Sequence, residues 1–177
     1  GSVRAATTII GLTIVAFLYQ SIGQGYTFNP RGSYSTIFAQ LLSIAVPVIL
    51  WTISNWCLTT LFDGEGSIKD VYIASTYSLL PLILTTIPAT IASNFVLASE
   101  VKMITLVTTI GFVWLGLLLF FGMMSTHGYS FGKNIVTILG TIVGMIFIMF
   151  VAVLFTTLLS KMFTFVYGII DEIQYRM

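Results

Sequence analysis

Charge is what this sequence has least of. Only 7% of its 177 residues are Asp, Glu, Lys or Arg, against about 25% in a typical soluble domain. A chain this poor in charge cannot present an ordinary water-facing surface, so its main solvent is lipid. Seven Lys and Arg stand against six Asp and Glu, and the basic footprint that nucleic acid requires is missing. The one cysteine, Cys57, excludes an internal disulfide. The one histidine, His127, has no second His or usable Cys to complete a metal set. Neither a Gly-x-Ser-x-Gly elbow nor a His-Glu-x-x-His pair occurs. The reading is therefore of a protein that is not an enzyme and needs no cofactor or metal. The chain opens on Gly1-Ser2 without an initiating Met, which reads as a protease remnant and predicts a further native segment ahead of it.

What is present is apolar. Hydrophobic residues make up 57% of the chain and mean hydropathy is +1.03. About 20 consecutive apolar residues cross a bilayer as a helix, and five runs qualify: about residues 5–22, 36–61, 71–93, 103–124 and 134–160. In lipid each run must satisfy its own backbone hydrogen bonds, so each is predicted helical. The fold class is all-α, a polytopic membrane bundle of five spans forming one domain over residues 1–177. The tail, 161–177, places Met162, Val166, Ile169, Ile170 and Ile173 at three- and four-residue spacing. Asp171, Glu172, Gln174 and Arg176 fall largely elsewhere, which predicts an amphipathic helix in the interface or an extension of the fifth span.

The connecting segments hold the chemistry. Gly23 to Gly32 is turn-rich, and Asn94 to Lys102 carries Glu100 and Lys102. Asp63, Glu65, Lys69 and Asp70 gather in one loop. Three carboxylates among glycines suit a hard cation in principle, but the spacing is not that of a calcium loop. Gly66-Ser67-Ile68-Lys69-Asp70-Val71 and Ser130-Phe131-Gly132-Lys133-Asn134-Ile135 share the order Ser, apolar, Lys, Asx, β-branched. With five spans both lie on one side. Two helix starts built from the same capping physics explain the likeness, and an internal repeat of two helical hairpins is the lesser alternative. Ionisable residues are almost absent from the spans, which disfavours ion-driven transport. Gln20, Gln40, Asn55 and many Thr and Ser remain for bonds between helices. Pro47, Pro81 and Pro88 predict bends in the second and third spans, and Gly140-x-x-x-Gly144 predicts close helix packing, within the fold or between copies. Trp51, Trp56, Tyr72, Tyr77 and Tyr129 suit the aromatic belts. His127 is expected in an interfacial loop.

The string from Asn55 to Tyr72, followed by Tyr77 and Pro81, resembles bacterial members of the Yip (Ypt-interacting protein) domain family. His127-Gly128-Tyr129-Ser130-Phe131-Gly132-Lys133 resembles that family's second landmark, and Asp171 to Arg176 fits the bacterial tail. The resemblance implies a multi-pass protein of the cell membrane, with its N-terminus and both charged loops in the cytoplasm. Three Lys and Arg on one side against four on the other leave that orientation undecided by charge. Eukaryotic relatives bind Rab-type GTPases, but their Asp-Leu-Tyr-Gly-Pro motif is missing here, and that partner is not carried over. The expected function is an adaptor or assembly factor that docks a membrane or cytoplasmic protein. Asp63, Glu65, Lys69, Asp70, His127, Tyr129 and Lys133 would carry the contact. The alternative is a small permease or channel subunit for a neutral solute, built around Asn55, Gln40 and the prolines.

Overall fold

The computed structural model describes residues 1–30 and 34–176, without the side chains of Thr60, Ala98, Ile173 and Arg176. Arg31 and Gly32 of the first loop, and Met177, lie outside the described residues, as do the Ile173 and Arg176 side chains of the tail pattern. Among the described residues six α-helices follow in order: α1 (Val3–Gly23), α2 (Ile37–Phe62), α3 (Ile68–Tyr77), α4 (Leu80–Ser93), α5 (Val101–His127) and α6 (Phe131–Arg176), with a short 3-10 turn at Ala98–Glu100 ahead of α5. Counting α3 and α4 together, five helical units are long and apolar enough to cross a membrane. The N-terminus, the α2–α3 loop and the α5–α6 loop share one end of the bundle, called here the near end.

Two details differ from the expected spans, each for a local reason. The third span breaks at Ser78–Leu79, because Pro81 in the first turn of α4 has no N–H to continue the α3 ladder. α2, by contrast, runs through Pro47 as one helix. α5 continues past Met124 to His127 and stops at Gly128, whose φ of 65° ends the helix with its N–H on the Met124 carbonyl. His127 is thus a helical residue and not a loop residue. The tail prolongs the fifth span, one of the two forms expected of it: α6 is continuous for 46 residues.

The interior is polar and the exterior apolar. Thr13, Thr52, Ser54, Thr76, Thr86, Thr90, Thr137 and Thr141 are buried, while Leu, Ile, Phe and Val line the outside of every helix. This inversion fits lipid as solvent. Small side chains let backbones approach, and most of the hydroxyls bond within their own helices, Ser54 being an exception that reaches α6. Thr13 donates to the Ile9 carbonyl at 2.8 Å and Thr52 to that of Val48 at 2.7 Å. A small apolar cluster of Ile9, Val48, Leu79 and Leu82 sits where α1, α2 and the α3–α4 junction meet. α6 is the outlying helix. It leans mainly on α2 and touches α5 near its own start, where the Asn134 amide donates to the Phe120 carbonyl at 2.9 Å.

α3 begins with a reciprocal cap. The Ser67 hydroxyl accepts from Asp70 N–H at 3.3 Å, and the Asp70 carboxylate accepts from Ser67 N–H at 3.2 Å. Ser67→Ala is expected to lower stability by about 1 kcal/mol, measured by thermal unfolding in detergent. An unchanged midpoint would show that the cap contributes nothing to holding α3.

Candidate functional site: two loops joined over a buried polar chain

α2 ends at Asp63, which takes the left-handed conformation at φ 48°, and both the Asp63 and Gly64 N–H groups close on the Thr59 carbonyl. The chain then crosses the end of α5 as Gly64-Glu65-Gly66. Two glycines are needed here because the crossing is close. A Cβ on Gly64 would strike the Tyr129 hydroxyl, and one on Gly66 would sit 2.8 Å from His127 Nδ1. Gly66 N–H donates to His127 Nδ1 at 3.3 Å.

That bond sets a direction through the bundle. With Nδ1 accepting, the neutral imidazole carries its proton on Nε2. Nε2 lies 2.8 Å from Asn55 Oδ1 and donates to it. The Asn55 amide donates in turn to Thr141 Oγ1 at 2.9 Å, and the Thr141 hydroxyl to the Thr137 carbonyl at 2.8 Å. The Ser54 hydroxyl adds a bond to the Thr141 carbonyl at 2.7 Å. One chain of donors therefore links the α2–α3 loop, α5, α2 and α6. His127 is 1% exposed, and Asn55 and Thr141 are 0% exposed. At such depth a matched donor and acceptor is needed at each step, since an orphaned group costs more than a bond contributes.

Tyr129 completes the junction. Its ring stacks on the His127 imidazole at 5.0 Å and 21°, and Lys133 Nζ lies 4.9 Å from its centroid. Burial raises the Tyr129 phenol above its ordinary value, with a smaller contribution from the charge of Asp63. The phenol is neutral at physiological pH.

The seven residues singled out in sequence thus divide. Asp63, Glu65, Lys69 and Asp70 are exposed, Lys133 is half-buried, and His127 and Tyr129 are buried beneath the α2–α3 loop. Sequence reasoning treated Asn55 only as a generic interhelical residue or a path-lining one. The signal for its role was that Asn55 and the sole histidine stand near the same end of their spans. Gly140 and Gly144 face α2, against Leu58 and Ser54 respectively. Among the described residues, no group of three or more His, Cys, Asp or Glu is assembled that could hold a metal.

Inverted polarity, five apolar helical units and short loops define a multi-pass helical membrane protein. Residues 2–155 match the Yip1 domain, and the chain belongs to that family. Yip1-domain proteins are generally non-catalytic, are linked to membrane trafficking and bind Rab- and Ypt-type partners. Comparison with curated proteins and with solved structures finds no match to this chain.

Proposed function

We propose that this chain is a non-enzymatic membrane adaptor that docks a protein partner through its two near-end loops and the helix ends that flank them, residues 63–70 and 127–133, facing the cytoplasm. The observation that supports it is the clamp between them: Gly66 bonded to His127 and Tyr129 stacked on His127 make one preorganised surface from two loops. Preorganisation reduces the ordering cost of binding. Asp63, Glu65, Lys69 and Asp70 stand exposed on it, and exposed Phe131 adjoins it. His127 and Tyr129 position the loops, and Lys133 rests over the Tyr129 ring. An acidic surface with exposed apolar neighbours fits a partner segment that is basic with an aromatic or aliphatic anchor.

The test is isolation of the full-length protein from native membranes in mild detergent, beside a variant with Asp63, Glu65 and Lys69 changed to Ala. A stoichiometric partner present with the first and lost with the second is expected. An identical partner set, or none with either, overturns the docking reading. The rival, a permease for a neutral solute, predicts liposome flux abolished by substitution of Asn55. It has the weaker support, because the Asn55 side chain is engaged by His127 and Thr141.

A further inference from the structure

α6 is too long for one crossing. Its 46 residues rise about 69 Å, while the hydrocarbon core is about 30 Å thick. Its packing partner also runs out. Gly140 lies against Leu58, Thr141 against Asn55 and Gly144 against Ser54, so each step along α6 answers a step back along α2. Carried on at that rise, the start of α2 at Ile37 stands level with about residue 160 of α6. Residues from Lys161 onward therefore extend past the far end of the bundle, and 161–172 are exposed throughout.

The residue pattern changes at the same point. Asn134 to Ser160 holds no charged residue. From Lys161, at about 100° per residue, Lys161, Thr164, Gly168, Asp171 and Glu172 share one arc. Met162, Phe163, Val166, Tyr167, Ile169 and Ile170 share the opposite arc, about 160° wide, and Phe165 sits at the margin. Straight projection would leave that apolar arc in water. A second copy in a coiled coil would cover only a narrow seam, whereas a lipid surface covers a broad arc.

We infer that residues 161–172 lie in the plane of the far-end leaflet as a membrane-surface anchor, apolar arc against the acyl chains and polar arc toward water. α6 is continuous across this boundary, so the anchor requires the helix to bend where it leaves the bundle. Thr156, Thr157 and Thr164 donate to the carbonyls of Ala152, Val153 and Ser160 at 2.8, 2.8 and 2.9 Å, and such back-bonding bends helices. These residues bracket the boundary. Lys161 is outweighed by Asp171 and Glu172, so attachment rests on apolar burial and does not require anionic lipid. The inference is independent of the docking reading.

The test uses the full chain in proteoliposomes, with Cys57→Ser as background and single cysteines at Phe163, Thr164, Val166, Gly168, Ile170 or Asp171. The probe is a water-soluble maleimide. Labelling at 164, 168 and 171 is expected to exceed that at 163, 166 and 170 by about tenfold, the ratio equivalent to about 1.4 kcal/mol. The pattern is expected to be the same in phosphatidylcholine vesicles and in vesicles rich in phosphatidylglycerol. Uniform labelling along the segment overturns the anchor. So does protection that appears only at high protein-to-lipid ratio with disulfide formation between copies at 166, which would assign the arc to a second chain. None of the six sites touches the bundle, and elution as the unmodified protein confirms folding of each variant.

Discussion

Asn55→Leu is expected to lower the free energy of unfolding by about 2–3 kcal/mol, because it orphans the buried His127 Nε2–H and removes the donor that Thr141 Oγ1 accepts from, leaving that hydroxyl only its bond to the Thr137 carbonyl. That exceeds the ~0.6 kcal/mol average for hydrogen bonds between membrane helices. The difference lies in the surroundings. An average pair loses one bond and finds water or another partner, whereas His127 and Thr141 are sealed at 1% and 0% exposure. His127→Ala should cost a similar amount and also free the α2–α3 loop, which loses the acceptor for Gly66 N–H. A double-mutant cycle between Asn55 and His127, read by denaturant unfolding in bicelles, is expected to give a coupling of about 1–2 kcal/mol. Additive losses would mean that the two side chains do not act through one another.

The second large effect is expected at Gly144. A Cβ there would meet the Ser54 hydroxyl, the group that donates to the Thr141 carbonyl. Gly144→Val must therefore push α6 off α2 or break that buried bond, at about 1–3 kcal/mol for the overpacking alone. Gly140→Val is expected to be milder, since its Cβ meets only the flexible end of Leu58, at 3.1 Å. Because α6 leans chiefly on α2, the loss should concentrate there. Hydrogen exchange along residues 131–145 should accelerate in Gly144→Val more than in Gly140→Val. Equal acceleration in the two variants would refute the asymmetry.

Both predictions turn on side chains that sequence reading reached only in part. The glycine pair announced close packing through its four-residue spacing, but spacing does not name the facing helix. That Leu58 and Ser54 receive it depends on how α6 departs from α5. His127 read as a loop residue because the apolar run fades after Met124, whereas the helix continues until Gly128 supplies a left-handed stop. The break ahead of Pro81 was legible as a bend, since the proline has no N–H to give the preceding turn. Pro47 carries the same local rule, and α2 nevertheless stays one helix.

By itself the sequence determined the class of protein: all-helical, five apolar units, charge confined to the loops and the two ends. Hydropathy and backbone hydrogen bonding in lipid are local and additive along the chain, so no tertiary information is needed to read them. Only the tertiary structure decided that Gly66, His127, Asn55 and Thr141 form one donor chain, and that the two charged loops are a single surface. Hydrogen-bond partners 61 to 86 residues apart are chosen by helix orientation and depth, which no periodicity along a single helix encodes.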